Sequence, residues 1–184
     1  MIYGERIRLR RDERTDLPKF VEWLNDPEVY RYLTAMNLPF SMINEEQWFD
    51  NMLKLPREEQ PFAVEIRDGE GWRLVGNCGF FDINWMVRSA EVGLFIGDKS
   101  CWNKGYGTEV MRLLLRLGFD TLNLNRVFLR VDEANLGGIR AYEKVGFIHE
   151  GHFRQGTFQG GQYRDMLFMS VLRSEWSPKS VGDN

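Results

Sequence analysis

The residues best spaced to do chemistry fall in one run, Cys101-Trp102-Asn103-Lys104-Gly105-Tyr106-Gly107-Thr108-Glu109. An apolar, strand-like stretch (90–96) precedes it and a long amphipathic stretch (110–122) follows. The order is therefore strand, glycine-containing loop, helix. The first turn of a helix leaves backbone N–H groups without intrahelical partners, and their summed dipoles make that end partly positive. Gly105 and Gly107 carry no Cβ, so a ligand can approach the backbone closely. Such a loop either binds a phosphate or pyrophosphate or is a tight strand-to-helix turn that uses glycine for geometry alone. Two familiar phosphate loops are excluded. No Gly-Lys-Ser/Thr follows, and a G-x-G-x-x-G begun at Gly105 needs its third glycine where Val110 stands.

Glu91 is the second candidate. Alternation along 90–97 puts Val92, Leu94 and Ile96 on one face and Glu91, Gly93 and Phe95 on the other. The first face is expected to meet the core. The second, an acid, a gap and an aromatic ring, suits the floor of a cleft. The other reactive side chains offer less. His149 and His152 are the only histidines; three residues apart in an expected strand, they should lie on opposite faces, which argues against a shared metal. Cys78 and Cys101 have no C-x-x-C or similar spacing, so both are expected as free thiols, Cys101 in a structural role. No nucleophilic Ser or Cys motif is present.

The hydropathy pattern supplies the elements that must position these residues. Residues 6–11 alternate charged with apolar, a half-buried strand. Thr15 or Asp16 opens a helix with Pro18 in its first turn and Leu17, Phe20, Val21 and Leu24 at helical spacing. Asn25-Asp26-Pro27 breaks it, and a short helix is expected over about 28–33. After a loop-like 38–42, Asn44 is expected to cap a helix whose buried face is Trp48, Phe49, Met52 and Leu53, ended by Pro56. Strands are expected over 62–66 and 74–83, joined by a hairpin turn at 68–71; Gly76 and Gly79 inside the second suggest a bulge or the close approach of another group. The central helix, 108–122, carries the stripe Val110, Met111, Leu114, Leu115 and Phe119. A strand at 126–131 follows, then a helix at 135–145 ended by Gly146, then a closing hairpin of 147–158 and 162–172 across Gly160-Gly161.

At 184 residues, 43% hydrophobic and 28% charged, the chain is expected to form one globular domain over 1–176, with a polar, disordered tail at 177–184. A net charge of −3 shows no basic excess, which argues against a nucleic-acid partner. No stretch approaches a membrane span and the first residues contain no apolar leader, so a cytoplasmic location is expected.

From residue 90 to 151 the chain resembles the GNAT acetyltransferase superfamily, and within it the branch of ribosomal-protein N-terminal and polyamine acetyltransferases. The family's loop reads Gln/Arg-x-x-Gly-x-Gly/Ala; Gly105 and Gly107 hold the glycine positions and Trp102 stands where Gln or Arg is usual. Trp102 supplies no guanidinium, so phosphate contact falls to backbone amides along Asn103, Lys104, Gly105, Tyr106, Gly107 and Thr108, with Lys104 as a cation. Asn135-x-x-Gly138-x-x-x-Tyr142-x-x-x-Gly146-Phe147 resembles the family's Asn-x-x-Ala-x-x-x-Tyr-x-x-x-Gly-Phe, with Gly138 for the usual Ala. The resemblance implies an α+β (mixed α/β) domain: a central, mixed, mostly antiparallel twisted sheet of about six to seven strands, splayed at the middle, with helices on both faces. It also implies acetyl-CoA as co-substrate, no metal, and a primary amine as acceptor. The acceptor is either a protein or peptide N-terminus or a small amine of polyamine or aminoglycoside-like type. A homodimer is an expectation carried over from the resembled branch. The rival from another class is a CoA-binding or sensing domain without catalysis.

The chemistry so implied is direct attack of an amine on a thioester in a ternary complex. The pantetheine arm of acetyl-CoA would run between the strands at 90–97 and 126–131, pairing like an added strand with the backbone of Leu94, Phe95, Ile96 and Gly97. A lysine-like amine with pKa about 10.4 is mostly protonated at pH 7, and neutralising it costs roughly 4–5 kcal/mol, against about 1 kcal/mol for an α-amine. Glu91 is then the candidate general base, or else it binds a cationic substrate or pairs with an arginine. The resemblance makes Tyr142 the candidate acid for the leaving thiolate. Asn135 would hold the pantetheine, cap its helix, or both, and a backbone amide near Phe95 would serve the oxyanion. Arg140 and Lys144 either reach the CoA 3′-phosphate or form a solvated helix face.

Overall fold

The computed structural model describes residues 1–33 and 38–177, so all of the expected tail but Ser177 lies outside the described residues. Its strands are β1 (Ile2–Tyr3), β2 (Ile7–Arg11), β3 (Phe62–Asp68), β4 (Gly71–Asn84), β5 (Ser89–Ile96), β6 (Arg126–Asp132), β7 (Ile148–Gln159) and β8 (Gln162–Leu172). They form one eight-stranded sheet in the order β1-β2-β3-β4-β5-β6-β8-β7. The count exceeds the six to seven expected because Ile2–Tyr3 adds a short edge strand against β2. Every neighbouring pair is antiparallel except β5–β6, which is parallel.

That one parallel junction decides the shape. β5 and β6 pair only at Ser89↔Arg126, Ala90↔Val127 and Glu91↔Phe128. Past Glu91, β5 stays with β4 as far as Ile96↔Gly76, while β6 follows β8 as far as Asp132↔Met166. Each strand is held by its outer ladder, so the two part and leave a wedge-shaped opening.

The interior glycines of β4 explain how β5 is aimed. A Cβ on Gly76 would sit 2.1 Å from the Phe95 carbonyl oxygen, and one on Gly79 3.1 Å from Pro61 Cα, so both positions are close approaches of backbone. Val64 pairs with Gly76 and Glu65 with Leu74, which leaves Val75 as an extra, bulged residue. The Val75 carbonyl accepts the N–H groups of Gly97 (2.8 Å) and Asp98 (3.1 Å), ending β5 and turning the chain toward the loop.

Helices cover both faces. The helix after the loop, here α4, spans Tyr106–Arg116 and continues through a wide π turn at Leu117–Thr121. It begins two residues before the expected position 108 and lays Val110, Met111, Leu114, Leu115 and Phe119 into the main core with Ile7, Leu9, Val64, Phe80, Val92 and Val127. The helix α5 (Leu136–Glu143) ends near Gly146, whose φ of 101° suits glycine. Gly160 and Gly161 (φ 58° and 79°) make the expected tight turn between β7 and β8.

On the opposite face a second cluster joins α1 (Leu17–Leu24), α2 (Pro27–Tyr30) and α3 (Met42–Met52) through Leu17, Phe20, Trp23, Val29, Phe49 and Met52. Phe95 and Trp102 pack against it. The face of β5 expected to floor a cleft does so at Glu91, Gly93 and Phe95, and Phe95 is also packed under this second cluster. α3 also differs from expectation. Ser41, not Asn44, is its N-cap: the Ser41 hydroxyl accepts from the Asn44 N–H (3.2 Å), and Asn44 Oδ1 accepts from the Ser41 N–H (3.0 Å). Its buried face is Glu45, Phe49 and Met52, whereas Trp48 and Leu53 are exposed. Among the described residues no helix is long and apolar enough to cross a membrane.

Candidate active site

The loop turns on two residues with left-handed backbone, Asn103 (φ 59°) and Gly105 (φ 83°), the latter standing as N-cap of α4. Gly107 has no such constraint. A Cβ there would meet only Leu94 Cδ2, at 3.9 Å. Among the described residues no acceptor meets the N–H groups of Gly105, Tyr106, Gly107 and Thr108, while the Gly105 carbonyl takes the Glu109 N–H at 3.1 Å. Four successive amides are therefore free at the positive end of an eleven-residue helix.

Arg6, which the sequence reading did not single out, clamps this loop. Its N–H and Nε donate to the Glu109 carboxylate (2.7 and 3.0 Å), its Nη1 donates to the Lys104 carbonyl (3.1 Å), and its guanidinium lies 4.8 Å over the Tyr106 ring. The Lys104 side chain is left exposed at the mouth.

Strand alternation corrects the expectation that four consecutive residues of β5 face the ligand. The Gly97 N–H is bound to Val75 and the Phe95 carbonyl lies against Gly76, so Phe95 and Gly97 point their backbone groups into the β4 ladder. Only Leu94 and Ile96 turn theirs into the wedge. The Trp102 indole Nε1–H donates to the Ile96 carbonyl at 2.8 Å, which ties the loop to the strand and leaves that oxygen one lone pair. Trp102 is therefore a strut as well as a wall.

Glu91 and Tyr142 line the same cleft, of ≈ 1000 Å³, together with Leu94, Gly105 and Asn135. Both Glu91 oxygens accept from Arg130, from Nε and Nη2 at 2.8 Å each. This bidentate pair also raises the Arg130 pKa. Each oxygen of the carboxylate so held keeps a lone pair for another donor. Tyr142 is half-buried on α5 beside Phe147, ring centroids 6.0 Å apart. No described residue hydrogen-bonds its hydroxyl, and burial pushes its pKa up to about 12, so it holds its proton at neutral pH. Asn135 caps α5, its Oδ1 accepting from the Gly138 N–H at 3.0 Å. A Cβ on Gly138 would fall 2.7 Å from Asn135 Nδ2, so glycine lets the cap sit this close. The Asn135 Nδ2 remains available as a donor into the cleft, which Arg140 and Lys144 also line.

The other expectations resolve simply. Both cysteines are free and buried; burial pushes the Cys78 thiol well above its ordinary value, and Asp12 adds to the effect. His149 and His152 are not on opposite faces. A bulge between His149 and Gly151 sets them against Met169 and Leu167, two positions apart, hence on one face. They still serve separately, His149 with Glu143 (3.0 Å) and His152 with Asp165 (3.6 Å) and Glu133 (3.8 Å).

A family model for the acetyltransferase (GNAT) domain matches residues 6–148, most of the chain. The chain is a GNAT acetyltransferase. This GNAT protein is 28% identical over 179 residues to an uncharacterized N-acetyltransferase, p20, of Bacillus licheniformis, covering 96% of this chain and 98% of that protein. It is 30% identical over 178 residues to the spermidine N(1)-acetyltransferase of Vibrio cholerae, covering 96% and 99%. A solved structure of the spermidine N-acetyltransferase from Vibrio cholerae in complex with CoA and spermine superposes with a TM-score of 0.84 at 27% identity, over 94% of this chain and 98% of that one. The present chain is thus an N-acetyltransferase that takes its acetyl group from acetyl-CoA and delivers it to an amine. Its residues fit that co-substrate: unpartnered amides face where a diphosphate needs donors, a sheet opening offers unpaired strand backbone, and a protonated phenol borders the cleft.

Proposed function

We propose that this GNAT enzyme acetylates a small primary amine rather than a peptide N-terminus. The observation that carries this is the acceptor side of the cleft. There α1 and α3 leave a half-open pocket of ≈ 270 Å³ beside the main cleft, walled by Phe20, Phe40, Trp48 and Phe95, of a size and character to take the alkyl chain of a small amine. The near full-length similarity to a spermidine acetyltransferase points the same way. The buried free thiols suit a reducing compartment, and we place the enzyme in the cytoplasm.

In this scheme the amides of Tyr106, Gly107 and Thr108 hold the diphosphate and Lys104 adds charge at the mouth. Leu94 and Ile96 hold the pantetheine arm, with the Asn135 Nδ2 as a further donor. Acetyl-CoA supplies an acyl group already activated as a thioester. Glu91, held by Arg130, accepts a hydrogen bond from the incoming amine and orients it, and the amine's proton leaves to water. As the C–S bond breaks, Tyr142 delivers its hydroxyl proton to the departing sulfur, and water returns a proton to the phenolate, so the one proton lost by the amine is balanced by the one on the thiol.

The test is thiol release from acetyl-CoA with a panel of small alkylamines and a panel of peptides, with the product mass read for one added acetyl group. Release with the alkylamines is expected; release with peptides alone overturns the proposal. Tyr142→Phe should lower kcat by roughly 100-fold or more with CoA affinity little changed. An undiminished kcat removes Tyr142 as the acid.

A further inference from the structure

We infer that the aromatic chamber beneath α1 and α3 is a subsite for a second cation of the acceptor: an alkylammonium on the same molecule whose other amine is acetylated. This rests on the small-amine function proposed above. Glu45, on the inner side of α3, lines the chamber and is 5% exposed. Among the described residues it has no hydrogen-bond or ion-pair partner. Burial alone raises its pKa. Of the N-terminal arginines, Arg10 is engaged with Asp16 (2.7 Å) and Glu65 (2.9 Å) and Arg14 with Asp50 (2.7 Å). A buried carboxylate without a partner is unfavourable, and an apolar side chain would fill the same place without that penalty.

The walls supply the rest of a cation site. Phe20 sits edge-on to Trp48 and Phe95, with ring centroids 6.4 and 6.2 Å apart. Aromatic faces around a carboxylate are the surroundings that favour an ammonium over a neutral group. The remaining polar wall is Asn77. Its Nδ2 donates to Asp12 Oδ2 at 2.7 Å, which turns its Oδ1 away from Asp12 as an acceptor. Among the described residues no cationic side chain lines the chamber. Its polar set thus calls for an occupant that donates hydrogen bonds and carries positive charge. Trp48, Asn77 and Phe95 border both this chamber and the main cleft, so one extended molecule can place its far end here and its near amine beside Glu91.

The experiment compares 1,4-diaminobutane with butylamine, which share a carbon chain and differ by one ammonium. Calorimetry on the full chain saturated with CoA should show the diamine binding roughly 10- to 100-fold more tightly, the range for one charge-assisted hydrogen bond. Glu45→Gln should erase most of that preference, and Trp48→Leu, at a partly exposed position, should weaken it separately. Equal affinity of the two amines for the unaltered protein overturns the inference, as does a preference that survives Glu45→Gln. Thiol release from acetyl-CoA is measured in parallel. If the preference holds and neither amine is acetylated, the subsite stands and the small-amine function falls.

Discussion

Asp12 shows how much one buried side chain sets. It is 6% exposed, its Oδ2 accepts from Asn77, and its Oδ1 has no partner among the described residues. Burial lifts its pKa from 3.8 to about 7, against the opposing pull of the Asn77 hydrogen bond. An acid whose pKa is raised by folding binds its proton more tightly in the folded state. The stability this gives is complete below about pH 4 and is lost as pH rises through about 7. The span from 3.8 to about 7 corresponds to an upper value on the order of 4 kcal/mol, at about 1.4 kcal/mol per unit. Asp12→Asn keeps the shape and the acceptor but removes the charge. Urea unfolding should therefore show the variant gaining on the unaltered protein between pH 5 and pH 8. Parallel stability curves would mean that Asp12 does not titrate in that window.

At the scale of the element, the start of α4 uses its two glycines for different reasons. Gly105 has φ 83°, so any Cβ there is strained whatever the space around it. Gly107 has ordinary helical backbone and open space. The two alanine variants should thus move stability in opposite directions. Gly105→Ala should lose about 1–2 kcal/mol, and Gly107→Ala should gain up to about 1 kcal/mol from helix propensity. Gly105→Ala should also weaken CoA binding, because a shifted loop misdirects the free amides. Denaturant titrations decide the first point, and shifts of the same sign would show that the glycines do one job. The Arg6–Glu109 clamp is half exposed at Arg6, so as an ion pair it contributes little, about 1 kcal/mol or less. Its importance is positional, since it fixes the loop against the N-terminal end of β2.

The whole molecule is two antiparallel sheet halves joined at three residue pairs of one parallel junction. A ligand in the wedge bridges the halves, so CoA should slow amide exchange selectively. Protection should rise at Leu94 and Ile96, whose N–H groups face the gap, and change little at Phe95 and Gly97, already bonded into β4. Hydrogen exchange with and without CoA reads this directly. Uniform protection of all four residues would place the arm elsewhere.

Local chemistry settled a good deal from the chain alone. Strand alternation, the stripe of α4, the Gly146 stop, the Gly160-Gly161 turn and the two glycine and Asn–Tyr motifs are short-range patterns, and each survives folding because few distant contacts compete with it. What tertiary structure decided is which groups are already taken. Arg130 claims Glu91 from a strand 39 residues away in sequence, Val75 claims the Gly97 amide through a bulge, and Trp102 claims part of Ile96. The loneliness of Glu45 is likewise invisible in the sequence, where an acid near a helix start reads as dipole compensation. Periodicity specifies which face a residue takes, but hydrogen-bond satisfaction depends on partners brought together only when the sheet closes and then splits.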